Sequence, residues 1–136
     1  MLPTRDGQMW AGTAGSVWSI VRLNGGEHTV VYSAQTAGEH PTALAEGANG
    51  TIWAGTLAGL LLRWETNRFV PLEPPDRSSL GRIWALWPTA DGGLWAGTEE
   101  GGLLRYHDGK FKRCTMKNGL PSDCIAQILG DGQGNL

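Results

Sequence analysis

No basic excess marks this sequence. Its 11 Lys and Arg are spread along the chain against 13 Asp and Glu, a formal charge of −2, so nucleic-acid binding has no electrostatic support. No stretch approaches the roughly 20 apolar residues of a membrane span. The opening Met1-Leu2-Pro3-Thr4-Arg5-Asp6 lacks the apolar core of a secretory leader. Cysteine is scarce. Cys114 and Cys124, ten residues apart, fit neither a C-x-x-C motif nor a disulfide framework. They read as two free thiols and leave the redox compartment open. Helical periodicity of useful length is also missing. What the chain has in quantity is glycine (21) and tryptophan (7), within 136 residues that suffice for one domain with a real core.

Four of those residues recur together. Trp-Ala-Gly-Thr occurs at Trp10–Thr13, Trp53–Thr56 and Trp95–Thr98, spaced by 43 and 42 residues. A fixed period in this range is the mark of a repeat architecture. Before each motif stands a turn signal, Asp6-Gly7, Asn49-Gly50 or Asp91-Gly92, in which both residues accept positive φ. A short strand follows, then a second glycine (Gly15, Gly59, Gly101) expected to turn the chain again. The next apolar runs are Val17–Leu23, Leu60–Trp64 and Leu103–Tyr106. Polar turns at Asn24-Gly25-Gly26, Glu65-Thr66-Asn67 and His107-Asp108-Gly109 lead to strands starting near Thr29, Phe69 and Phe111. Longer loops then reach strands at about Pro41–Glu46, Ile83–Pro88 and Ile125–Leu129. The repeats run over approximately 6–48, 49–90 and 91–132. Unit one is the degenerate copy, with a loop one residue shorter and a longer third strand, Ser16–Leu23.

Four short strands per unit of about 40–45 residues describe propeller blades. A sandwich needs no strict period, and leucine-rich, helical and β-helix repeats have other periods. The expected fold is all-β: a partial β-propeller of about three four-stranded antiparallel blades, cut out of phase with the blade boundary. Trp10, Trp53 and Trp95 should pack between neighbouring blades, while Gly12, Gly55 and Gly97, with the alanines, let adjacent sheets approach and Thr13, Thr56 and Thr98 close the motif. Three blades do not close a ring of 4–8 and leave bare edges. The expected partner is therefore the rest of a propeller in a longer parent chain. The alternative is a second copy, head to tail, with Ser122–Leu129 completing its first blade.

The string Asp91-Gly92-Gly93-Leu94-Trp95-Ala96-Gly97-Thr98-Glu99-Glu100-Gly101-Gly102-Leu103-Leu104-Arg105-Tyr106 resembles the two-component regulator propeller repeat. So do Asn118-Gly119-Leu120-Pro121-Ser122 and Asp131-Gly132-Gln133-Gly134-Asn135-Leu136. The resemblance covers nearly the whole chain and is weaker in unit one. It implies seven-bladed propellers forming the extracytoplasmic sensor of hybrid histidine kinases, often for polysaccharide breakdown products. The motif's second residue departs from the family, being Ala where a β-branched residue is more common. His40-Pro41-Thr42-Ala43-Leu44-Ala45-Glu46 also looks like the streptogramin-lyase propeller repeat, and Asn49-Gly50-Thr51-Ile52-Trp53 is faintly similar to the Asp-box of sialidase-like propellers. These keep a lyase or glycosidase reading open beside a sensor and a protein-interaction scaffold.

Groups suited to catalysis are sparse. His28, His40 and His107 fall in different units without metal-ligand spacing, and no nucleophile motif or phosphate loop is present. Asp6, Asp91 and Asp108 sit in turns, and Glu99-Glu100 reads as a solvated pair. No catalytic residue, metal or cofactor is expected. A propeller ligand would sit over the loops entering the innermost strands. The residues there are His40, Arg82 and Cys124, preceded by Glu39, Gly81 and Asp123. With Arg77, whose guanidinium suits anionic sugars, His40, Arg82 and Asp123 make the expected ligand rim, with an oligosaccharide as its ligand.

Overall fold

The computed structural model describes residues 2–76, 79–130 and 136. Its strands are cut to length by two kinds of turn that alternate along the chain. Gly25-Gly26, Thr66-Asn67 and Asp108-Gly109 each place both residues at positive φ, between 49° and 91°. These are the two-residue hairpins whose twist matches that of the strands.

The Asx-Gly turns fold differently from the expectation. Only the glycines are left-handed, with φ of 83°, 83° and 84° at Gly7, Gly50 and Gly92. Asp6, Asn49 and Asp91 instead accept a hydrogen bond from the amide two residues on, at 3.1, 3.2 and 3.0 Å. The side chain holds an Asx turn, so its own residue need not flip. The second glycine of the motif also varies. Gly59 is left-handed, but in the third unit that role moves to Gly102, while Gly101 lies too close to Leu80 to carry a side chain. Gly15 is not left-handed.

These turns give three four-stranded antiparallel sheets in meander order. Blade 1 holds β1 (Leu2–Pro3), β2 (Met9–Thr13), β3 (Ser19–Asn24) and β4 (Glu27–Ser33). Blade 2 holds β5 (Pro41–Glu46), β6 (Ile52–Thr56), β7 (Leu61–Glu65) and β8 (Arg68–Leu72). Blade 3 holds β9 (Ile83–Pro88), β10 (Leu94–Thr98), β11 (Leu103–His107) and β12 (Lys110–Cys114). The third strand of unit one begins at Ser19 rather than Ser16 or Val17. The fourth strands begin one to two residues earlier than expected, at Glu27, Arg68 and Lys110. Ile125–Leu129 is not a strand. β5 and β9 each pair with the tryptophan-bearing strand that follows them, and the described residues beyond Leu129 contain no such strand. The segment still follows a blade-like path. The amide of Ile125 donates to Thr98 O at 2.8 Å, Ile125 covers Gly97, and Gly130 lies against Trp87.

The core is two seams between blades. Trp10 is 3% exposed and meets Trp64 and Phe69 of blade 2 edge-on, at 5.0 and 6.1 Å. Trp53 is equally buried and meets Tyr106 of blade 3 at 5.8 Å. Each tryptophan thus takes burial from the next sheet as well as from its own. Gly55 is required by the second seam, because a β-carbon there would stand 2.4 Å from Ile83 Cγ2. The buried hydroxyl of Thr98 accepts from Gly101 N and donates to Gly102 O, and that of Thr56 accepts from Leu60 N. Each closes its own turn.

Candidate functional site

The rim residues lie where the chain enters the inner strands, at the end of each blade that also carries the β6–β7 and β10–β11 turns. His40 O and Arg82 O hold equivalent places, accepting from Leu57 N and Glu99 N at 2.9 Å each. Asp123 O accepts from Gly102 N at 2.7 Å. His40 and Arg82 therefore share one backbone position, while Asp123 stands one residue before its next copy, Cys124, and bonds to a different place in the turn.

Those side chains find separate partners. The His40 imidazole stacks on Trp18 of the β2–β3 turn, 4.7 Å between centroids and 12° from parallel. The Arg82 guanidinium lies 4.6 Å over Trp84, which is 40% exposed. A cation over an indole face is attracted by the ring quadrupole. Arg82 Nε is buried and has no hydrogen-bond partner, while its backbone amide donates to Glu99 Oε2 at 3.3 Å. Asp123 Oδ1 accepts from Met116 N at 2.7 Å and so holds the 3-10 turn Met116–Asn118. Among the described residues no hydrogen bond or ion pair joins His40, Arg82 and Asp123 to one another. Arg77 lies outside the described residues. Between blades 1 and 2 the same face opens into a cavity of about 290 Å³ bordered by Gly12, Thr13, Trp18, Pro41 and Thr42.

A second repeated constellation escaped the sequence reading. Arg22, Arg63 and Arg105 stand directly across from Trp10, Trp53 and Trp95 in the strand register. Each guanidinium lies over its indole, at 5.7, 5.7 and 5.2 Å. The signal was present as Leu62-Arg63-Trp64 and Leu104-Arg105-Tyr106, strings that invite reading as apolar runs. Arg63 also reaches Tyr106 Oη at 3.2 Å and Glu65 at 3.3 Å, which ties blade 2 to blade 3. Arg105 pairs with Asp91 at 2.9 Å, and His107 stands 3.4 Å from the same carboxylate. Asp91 is held down to a pKa of about 2, first by the Thr89 hydroxyl, then by Gly93 N and these two cations. Tyr32 is pushed up to about 12 by burial and by the charge of Glu39. Its hydroxyl donates to Glu39 O at 3.0 Å.

This geometry has solved counterparts. The extracellular domain of the proposed one-component system BT4673 from B. thetaiotaomicron matches 98% of the chain, at TM-score 0.75 and 23% identity. A second structure of that domain, there described as a hybrid two-component system, matches 95% at TM-score 0.73 and 22% identity. The extracellular domain of the hybrid two-component system BT3049 from the same organism matches 94% at TM-score 0.64 and 22% identity. The likeness establishes the fold. The chain spans less than a fifth of the length of these solved chains, 19%, 18% and 17% respectively. No protein-family model matches it, and no curated protein does. Among the described residues no group of three or more His, Cys, Asp and Glu is placed to hold a metal ion, and no helix is long and apolar enough to cross a membrane.

Proposed function

We propose that this chain is a non-catalytic, ligand-sensing segment of a β-propeller in the extracytoplasmic region of a two-component signalling protein. The observation that carries the reading is the match of nearly the whole chain to extracellular domains of such systems, together with the family likeness of the repeat. It is a fold-based argument, and the ligand has to be argued from the site. There the entrance to the inner strands supports an oligosaccharide. It presents an exposed indole at Trp84, a guanidinium at Arg82 and an imidazole at His40, each at or beside the start of an inner strand. Aromatic faces stack on sugar rings, and guanidinium pairs bidentately with carboxylates of acidic sugars. Arg77 and Asp123 complete the proposed rim. The remaining blades of a longer parent chain are the proposed partner.

Calorimetric titration of the parent protein with neutral and uronic-acid oligosaccharides tests this. Binding of an acidic oligosaccharide should weaken at least tenfold in Arg82→Ala and in Arg77→Ala. Unchanged affinity in both variants discards the rim.

A further inference from the structure

Of the three arginines that face the motif tryptophans, one has no polar partner. Arg63 donates to Tyr106 Oη and to Glu65, and Arg105 donates to Thr89 Oγ1 and Asp91 Oδ2 at 2.9 Å each. Among the described residues Arg22 donates no hydrogen bond and forms no ion pair. Its guanidinium lies over both Trp10 and Trp64, 5.7 Å from each ring centre.

The repeat explains the difference. Two residues after the three arginines stand Asn24, Glu65 and His107, so blade 1 lacks the carboxylate that holds Arg63. The hydroxyl that Arg63 uses belongs to Tyr106, paired with Phe111. Its counterpart one blade back is Trp64, paired with Phe69, and an indole N–H only donates. Thr4 and Asp6 hold the places of Thr89 and Asp91 and share the same hydrogen bond, yet Arg22 is bonded to neither. Asp6 is exposed, and its pKa is lowered chiefly by the Thr4 hydroxyl, with Arg22 the weakest cause.

Arg22 instead borders a cavity of about 440 Å³ between the Asx-Gly turns of blades 1 and 2. That volume falls in the range of sites for small organic ligands. Two other charges at this cavity cancel. Arg5, in the β1–β2 turn, crosses to blade 2, where its Nη1 and Nη2 donate to Ala48 O and Gly47 O at 2.8 and 3.1 Å. Its Nε lies 3.0 Å from Glu46 Oε1, and its backbone amide donates to both oxygens of Glu46. The unspent donors are the Arg22 guanidinium and the side-chain amides of Gln8 and Asn49, since Asn49 Oδ1 is taken by Thr51 N. Of the two carboxylates there, only Asp6 Oδ2 is without a partner. A guanidinium laid on aromatic faces keeps its N–H edge for a planar oxyanion, which it binds through two parallel hydrogen bonds.

We propose that Arg22 anchors a binding site for a small organic carboxylate in the groove between blades 1 and 2. The site lies at the opposite end of the strands from the oligosaccharide rim and stands independently of that reading.

The probe is glucuronate, titrated into the full chain and followed by ¹⁵N NMR of the arginine Nε and indole Nε1 groups. Saturable shifts are expected at Arg22, Trp10 and Trp64. Glucose, of similar shape but uncharged, should bind roughly tenfold more weakly. Acetate separates the sources of the carboxylate: much weaker binding than glucuronate assigns the site to sugar acids, and equal binding assigns it to free carboxylates, and either supports the site. Arg22→Gln should abolish binding. Asn24→Glu, an exposed position, gives Arg22 the internal partner that Arg63 has and should weaken binding roughly tenfold. Asp6→Asn removes the one competing charge and should leave binding at least as tight. Equal binding of glucose overturns the proposal, as do weaker binding in Asp6→Asn and shifts confined to Trp18, His40 and Trp84, which belong to the rim. Should Arg22→Gln fail to fold, Asn24→Glu decides alone: unchanged affinity overturns it.

Discussion

The two seams of this molecule share one plan and are bridged differently at each end. Between blades 1 and 2 the aromatic side chains cluster, with Trp10, Trp64 and Phe69 in mutual contact and Tyr32 against Phe69. Arg5 bridges the end at the Asx-Gly turns, beside a cavity of about 440 Å³. The other end is loose, because Pro41 leaves Gly12 with nothing within 4 Å of where its β-carbon would stand. Between blades 2 and 3 the reverse holds. Ile83 fills the space over Gly55, and Thr42 donates to Ile83 O at 2.7 Å. Ala48 leaves the Asx-Gly end without such a bridge, beside a groove of about 540 Å³. The motif therefore sets how blades meet, and residues outside the motif decide where the seam stays open.

The largest effect should separate a completed seam from an uncompleted one. Trp53→Ala removes a side chain buried by the next blade and should cost about 3–5 kcal/mol, enough to unfold a marginally stable chain. Trp95, at the same register position, is only half-buried. Trp95→Ala should cost about half as much, read from urea unfolding of both variants. Equal losses would mean that the seam is not what buries the motif tryptophan.

A smaller contrast tests the rim end. Gly55→Ala drives a methyl into Ile83 and should destabilise by about 1–3 kcal/mol, the usual cost of overpacking. Gly12→Ala meets open space and should change stability by less than about 1 kcal/mol, in the stabilising direction. Comparable destabilisation in the two would erase the difference between the seams.

The smallest effect concerns the turns. Asp91 has a pKa depressed in the folded state, so its contribution is present above the ordinary carboxylate pKa of about 4. It is lost as the pH falls from there toward about 2. Asp91→Asn should flatten that acid limb in urea midpoints measured between pH 2 and 5.5. Asn49 already occupies the equivalent place in blade 2 without titrating. An unaltered acid limb would remove Asp91 from the account.

Much of this was readable before the structure. The period, the Asx-Gly signals and the strand positions are local properties of turn residues and apolar runs, so they appear in a single sequence. The burial of Trp10 and Trp53 between blades followed from the repeat itself. The arginines opposite them were equally periodic, but Arg inside an apolar run draws attention to the run. Less accessible was the conformation at Asp6, Asn49 and Asp91, since Asx-Gly permits two turn types and the side-chain hydrogen bond chooses between them. The strand expected at Ile125–Leu129 failed because a strand needs a ladder partner, and local sequence does not supply one. At the rim, the shared position of His40 and Arg82, with Asp123 one residue before the next copy, was legible from the register. Their partners were not: Trp18 lies 22 residues before His40 and meets it only when two blades pack.

The sequence by itself determined the blade, its turns and the residue that joins it to the next, because each depends on neighbours within one period. Only the tertiary structure decided how each seam is bridged and filled at its two ends. That outcome rests on pairs such as Arg5 with Ala48, and Ile83 with Gly55, which lie 43 and 28 residues apart. Their fit is a matter of volume and hydrogen-bond geometry across two sheets, and no local pattern encodes it.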